Sequence, residues 1–140
     1  MFIKQLSIFV ENKVGRLQDI IDCLGENGIN IRALSIADTT DFGILRLIVD
    51  DCETAREKLR SIGVISKVTE VIAVYIDDKT GGLAKVLSTV SKAGIGIEYM
   101  YAFLGRQEGK ALMVLRADDE AAAEVVLKKA GIAIADPNEI

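Results

Sequence analysis

Two short stretches of this 140-residue chain carry the residue pattern best suited to chemistry. Residues 11–17 read ENKVGRL and residues 77–83 read DDKTGGL. Each sets a polar side chain, Asn12 or Asp78, ahead of a glycine, Gly15 or Gly81, and then an apolar run at helical spacing. A glycine-led helix start, residues 15–18 or 81–84, presents backbone N–H groups that attract a carboxylate. Asn12 or Asp78 can accept a hydrogen bond from an ammonium group, and Asp78 adds a charge. Together these groups suit a zwitterion. A plainer reading stands beside this one. Asn12 and Asp78 would also serve as turn or cap residues, and Gly15 and Gly81 as points of close helix-on-sheet packing.

Catalysis finds little support. The chain has no histidine, so the commonest general base and metal ligand is missing and Ser-His-Asp or Cys-His mechanisms are excluded within one chain. Cys23 and Cys52 form no CxxC pair and read as small apolar side chains. Asp77 and Asp78 are adjacent, so they point to opposite sides of an extended chain and make no acid–base pair. Net charge is −4 and no Lys/Arg cluster stands out, which argues against nucleic acid as a partner. No apolar run approaches the roughly 20 residues that span a bilayer, and residues 1–13 lack a signal-peptide core. We therefore expect a cytoplasmic protein with no catalytic residues, no metal, no cofactor and no membrane contact.

The elements that must position the two loops repeat. Shifting the chain by 66 residues aligns Lys13 with Lys79, Gly15 with Gly81, Leu17 with Leu83, Gly28 with Gly94, Ile29 with Ile95, Ile31 with Ile97 and Gly43 with Gly109, without a gap from Asn12 to Val49. A fixed-period match constrains the whole chain. Leu6, Ile8 and Val10 alternate as in a strand, and Ile72, Val74 and Ile76 repeat them. Leu17, Ile20, Ile21 and Leu24 form a helical stripe, matched by Leu83, Val86, Leu87 and Val90. Gly28 and Gly94 follow those helices as C-terminal caps. A second strand follows in each copy, about residues 29–37 and 95–103. Hairpin turns follow at DTTDFG and GRQEG, then a third strand at about 44–49 and 111–115. Asp50 or Asp51, and Asp118 or Asp119, can cap a second helix, which carries Ala55, Leu59 and Ile62, or Ala123, Leu127 and Ala130. A short fourth strand is expected after Gly63 and after Gly131.

Each copy is therefore β-α-β-β-α-β. The fold class is α+β: two tandem ferredoxin-like domains, 1–69 and 70–140, each an antiparallel sheet with helices on one face. The first copy runs into the second without a linker. A domain of about 65 residues buries only about 60% of its unfolded surface, so pairing of domains is expected on physical grounds.

A strand, a loop ending in Gly-x-Leu at a helix start, and GINI opening the next strand resemble the ACT domain, twice and in register over essentially the whole chain. The resemblance implies a regulatory module that binds an amino acid or other small molecule where paired domains meet. It implies ligand contacts from Asn12 and Asp78, and close approach at Gly15 and Gly81 with their neighbours Arg16, Leu17, Gly82 and Leu83. Val14 and Thr80 stand where the family often has proline. Asn30 matches an asparagine that in some members reaches across from the partner domain. Its counterpart in the second copy is Gly96.

The copies differ in their second strands. Tyr99, Tyr101 and Phe103 share one side where the first copy has Ala33, Ser35 and Ala37. Tyr101 and its neighbours either wall a ligand cavity or pack an ordinary core. The function expected is a non-catalytic, allosteric amino-acid sensor, working as a homodimer or an intramolecular domain pair, with a regulated enzyme as a possible partner. The alternative is a regulatory or protein-interaction subunit of an amino-acid metabolic enzyme with no ligand of its own. An RNA-binding domain of the same topology would need aromatic and basic residues on strands one and three. GILRLIVD and GKALMVLRA carry no aromatic.

Overall fold

The fold follows from the two periodicities. In a computed structural model, which describes residues 1–38, 41–105 and 108–140, the elements run β1 (Ile3–Glu11), α1 (Arg16–Glu26), β2 (Ile31–Asp38), β3 (Phe42–Val49), α2 (Cys52–Ser61), β4 (Ser66–Asp77), α3 (Gly82–Lys92), β5 (Ile97–Ala102), β6 (Lys110–Ala117) and α4 (Glu120–Lys129), with a 3-10 turn at Pro137–Glu139. The chain divides into two units, Lys4–Thr69 and Glu70–Ile140, with Met1–Ile3 belonging to the second. The centres of both expected hairpin turns lie outside the described residues.

In the N-terminal unit the strand order is β2-β3-β1-β4. Ile8 pairs with Leu45 and Leu6 with Leu47, while Leu34 pairs with Leu47 and Ile36 with Leu45. These side chains share one face, which α1 and α2 cover except at Ile36 near the sheet edge, which stays half exposed. Leu6, Ile8, Leu24, Leu45, Leu47 and Leu59 are essentially inaccessible there. Fully burying one such side chain contributes about 1.5–3 kcal/mol. Cys23 joins this core and its thiol donates to the Lys58 carbonyl. In the C-terminal unit the order is β4-β6-β5, and Ile72, Val74, Leu115, Val90 and Leu127 form a separate core under α3 and α4.

All four helices end alike. After α1, the Gly28 N–H donates to the Gly25 carbonyl and the Ile29 N–H to the Leu24 carbonyl. The same pair of bonds closes α2 at Gly63 and Val64, α3 at Gly94 and Ile95, and α4 at Gly131 and Ile132. The apolar residue after each glycine enters the core beside the helix residue whose carbonyl it bonds, as in a Schellman motif.

Two expectations are corrected. The gap-free repeat fails at the hairpin. Ile8 pairs with Leu45 but Val74, 66 positions on, pairs with Met113, which is 68 beyond Leu45. The second copy therefore holds two extra residues between β5 and β6. Gly43 sits in β3, while Gly109 sits in the turn before β6 with φ +71, so their identity is coincidental. The fourth strand of the first copy runs, as the missing linker implies, straight into the next strand as one 12-residue β4; that of the second copy differs from expectation. It is a single bridge between Val74 and Ile134, flanked by bonds from Tyr75 N to Ala133 O (2.9 Å) and Ala135 N to Ala73 O (2.8 Å).

Glu120 opens α4 under tension between burial and its partners. Its Oε1 accepts from the Ala117 N–H at 2.7 Å, and its Oε2 is buried without a hydrogen bond. Burial pushes its pKa up to about 7, against the Ala117 N–H and the Arg116 guanidinium, with the Glu98 carboxylate adding to the rise. The native chain thus holds this proton more tightly than the unfolded one, so Glu120 makes stability fall as pH rises from 4.5 through about 7. Asp77 and Glu124, whose pKa values are lowered by hydrogen bonds from Lys110 and the N-terminal ammonium, act in the opposite sense and below that window. Urea melts between pH 5 and 8 should show a declining midpoint for the native chain and a flat one for Glu120→Gln. Equal slopes would contradict this assignment.

Candidate functional site

Both glycine-led loops fold the same way. The Lys13 N–H donates back to the Glu11 carbonyl at 2.8 Å, and Lys79 to Asp77 at 2.8 Å. The Asn12 N–H reaches the hairpin at Asp41 O (3.1 Å), and that of Asp78 reaches Gly109 O (3.1 Å). Gly15 and Gly81 then occupy the N-cap positions with φ of 90° and 85°. This left-handed conformation costs a residue with a Cβ about 1–2 kcal/mol. No side chain caps either helix. Asp51 and Asp119, by contrast, cap α2 and α4 by accepting from the Thr54 and Ala122 N–H groups. The open ends belong to the first helix of each unit alone.

The expected set of free amides is narrower than the sequence suggests. The Arg16 N–H is taken by Lys13 O (3.3 Å) and the Gly82 N–H by Lys79 O (3.0 Å). Helix geometry leaves those of Leu17 and Gln18, or Leu83 and Ala84, without an intrahelical acceptor. Asn12, Val14, Gly15, Asp78, Thr80 and Gly81 are all exposed at these loops. Neither Asn12 nor Asp78 is the helix cap, because the glycines hold that position. Leu17 packs against the N-terminal core, whereas Leu83 is 40% exposed.

Two expected residues lie elsewhere. Asn30 precedes β2 at the far end of its sheet. Ile31 pairs with Val49, whereas Glu11 pairs with Phe42, a separation of about 23 Å at about 3.3 Å per residue. Asn30 is held there by its backbone: its N–H donates to Asp50 Oδ1 (3.0 Å) and its carbonyl accepts from the Asp50 N–H (3.2 Å). Gly96 and Asp118 repeat both bonds. Tyr101 pairs with Val114, four residues along β6 from the Lys110 that faces Asp77, on the sheet face turned away from α3 and α4. Its ring is 8% exposed and stacks with Tyr99 at 6.5 Å between centroids.

Beside each loop lies a cavity that the sequence reading missed. The N-terminal one measures about 210 Å³ and is lined by Phe9, Glu11, Arg16, Phe42, Ile65 and the core residues below them. The C-terminal one measures about 90 Å³ and is lined by Tyr75, Asp77, Gly82, the exposed Lys85, Lys110, Ala133 and the core below. Apart from Lys85, these residues are position-by-position counterparts. Only Arg16 and Gly82 were anticipated. Phe9 and Ile65 occupy outward positions that core periodicity ignores.

The size difference has a local cause. A Cβ on Gly82 would lie 2.0 Å from the Asp77 carbonyl oxygen, so α3 begins hard against the end of β4. Arg16 carries a Cβ at the matching position, so α1 cannot begin as close to the end of β1, and the space beside it is the larger of the two. An ion pair between Lys110 and Asp77 stands at the C-terminal cavity. Its hydrogen bond and charge hold the Asp77 carboxyl below the usual range.

The family model for an ACT domain pair matches residues 1–139. The chain belongs to the ACT domain pair family. Among solved structures, it is similar to protein BT0572 from Bacteroides thetaiotaomicron, at 38% identity and a TM-score of 0.91, covering 98% of this chain and 94% of that one. Regulatory subunits of aspartate kinase share the ACT fold at greater distance. That of Thermus thermophilus, in a ligand-free form, matches at 19% identity and a TM-score of 0.66, covering 91% of each chain. That of Thermus flavus matches at 17% and 0.62 over 91% of each chain. No curated protein matches. Among the described residues of this ACT pair, no cluster of His, Cys, Asp or Glu could hold a metal ion, and no helix is long and apolar enough to cross a membrane.

The two ACT loops should respond differently to an alanine at the first residue of the helix. Gly82→Ala should cost about 1–3 kcal/mol or more in urea denaturation, because overpacking here is against backbone. Arg16→Ala, at the equivalent position, should stay within about 0.5 kcal/mol. Equal costs would refute the close approach at α3.

Proposed function

We propose that this ACT domain pair is a non-catalytic regulatory module that binds a small amino-acid-type ligand at its strand–helix loops, where ACT domains pair, within the chain or in a homodimer. The observation that carries this reading is the uncapped, glycine-led start of α1 and α3, set against the aspartate-capped α2 and α4. The carboxylate of the ligand takes the Leu17 and Gln18 amides, or those of Leu83 and Ala84. Its ammonium group takes Asn12 or Asp78. The helix dipole contributes about 0.3–1 kcal/mol at an exposed end. Micromolar affinity needs about 8 kcal/mol, well within reach of about ten heavy atoms at a ceiling of about 1.5 kcal/mol each. From the aspartate kinase regulatory subunits the reading borrows the class of role, control of an enzyme, and no particular ligand.

Thermal-shift measurement of the full chain against the twenty amino acids tests this. A ligand at 100 times its dissociation constant adds about 2.7 kcal/mol to the native state, which raises the melting temperature by several degrees. At least one amino acid should do so. A flat response to all twenty would favour the other reading, a regulatory subunit that docks on an enzyme without a ligand of its own.

A further inference from the structure

Resting on the reading above, we propose that only the N-terminal cavity is the binding site, that it takes one free amino acid per chain, and that this amino acid has a large apolar side chain. The two cavities are built from equivalent positions, so their differences report what each can hold. At the rim of the first, Phe9 is 77% exposed, Phe42 48% and Ile65 85%. Their counterparts are Tyr75, Lys110 and Ala133. Exposed large apolar groups at one rim, absent from its twin, offer a surface for an apolar side chain. The same cavity brings Glu11 and Arg16 together. Arg16 lies at the first residue of α1, where the positive helix end disfavours a cation. It makes no ion pair among the described residues, while Glu11 meets only the exposed Lys13, at 3.1 Å. A guanidinium fork adds a side-chain partner for the carboxylate held at the Leu17 and Gln18 amides, and Glu11 joins Asn12 as an acceptor for the ammonium group.

The C-terminal cavity has no such vacancy. Lys110 stands where the first has Phe42 and already pairs with Asp77, which stands where the first has Glu11. Gly82 replaces the arginine, Lys85 sets a further cation beside the already paired Asp77, and the space falls from about 210 to about 90 Å³. An intramolecular cation thus occupies the carboxylate that would otherwise receive a ligand ammonium.

Isothermal titration of the full chain tests the proposal, with leucine and phenylalanine against serine, aspartate and lysine. Leucine or phenylalanine should bind with one equivalent per chain and at least tenfold more tightly than the polar three. Leucinamide and N-acetyl-leucine, which lack one charge each, should bind at least tenfold more weakly than leucine, which separates a free amino acid from a peptide end. Phe42→Lys, which copies the closing residue of the second half, should lose binding while its urea midpoint stays near the native value. Arg16→Lys should retain part of the affinity that Arg16→Gln loses, and Asp77→Asn should leave it unchanged. Two equivalents per chain, preference for a polar or charged amino acid, or loss of binding on Asp77→Asn would overturn the proposal while leaving the sensor function standing. Binding by none of the amino acids would remove the sensor function itself.

Discussion

A single backbone constraint organises this protein. At the start of the first helix in each unit the chain turns through a left-handed residue, Gly15 or Gly81. The residue in that place holds the N-cap position and has no side chain with which to cap. The same glycine therefore sets the direction of the helix and leaves its first-turn amides open. The proposed place of the ligand carboxylate depends on that coupling. At α2 and α4 an aspartate supplies the missing acceptor, worth about a few tenths of a kcal/mol over a glycine in that place. The first helices forgo that stabilisation, and the rest of each unit compensates through a dense apolar core and Schellman-closed helix ends.

From this shared frame the two halves have taken different courses. The loop hydrogen bonds match pair for pair, so the difference lies in side chains. At one position stands an arginine, whose Cβ rules out the closest approach of helix to strand. At its counterpart stands a glycine, where a Cβ would lie 2.0 Å from the Asp77 carbonyl oxygen. Where one rim has a phenylalanine the other has a lysine, and that lysine finds a carboxylate. Small substitutions on one scaffold thus separate an open cavity from a self-satisfied one.

The parts of the fold that obey a period were legible in the sequence. Leu6, Ile8 and Val10 reach the core as their alternation requires, and Gly28, Gly63, Gly94 and Gly131 end helices as their positions require. The hairpin length was not legible. Loop residues carry no period, and the chance identity of Gly43 and Gly109 concealed two inserted residues. A fourth strand was expected after Gly131 as after Gly63, yet there only one bridge forms, between Val74 and Ile134. Within the site, Gly15, Gly81, Arg16 and Gly82 could be named because a helix start has a recognisable grammar. Phe9, Phe42 and Ile65 could not, because an outward-facing residue follows no core pattern, and only coordinates place β1, β3 and the turn after α2 side by side.

The open helix start can be examined directly by amide hydrogen exchange, read residue by residue by NMR. In the free protein the Leu17 and Gln18 amides should exchange at rates near those of an unstructured chain, while Thr54 and Ala122, whose N–H groups bond to Asp51 and Asp119, exchange more slowly. A bound amino acid should slow Leu17 and Gln18. Slow exchange at those two amides without any ligand would mean the helix start is already satisfied, and would contradict the account.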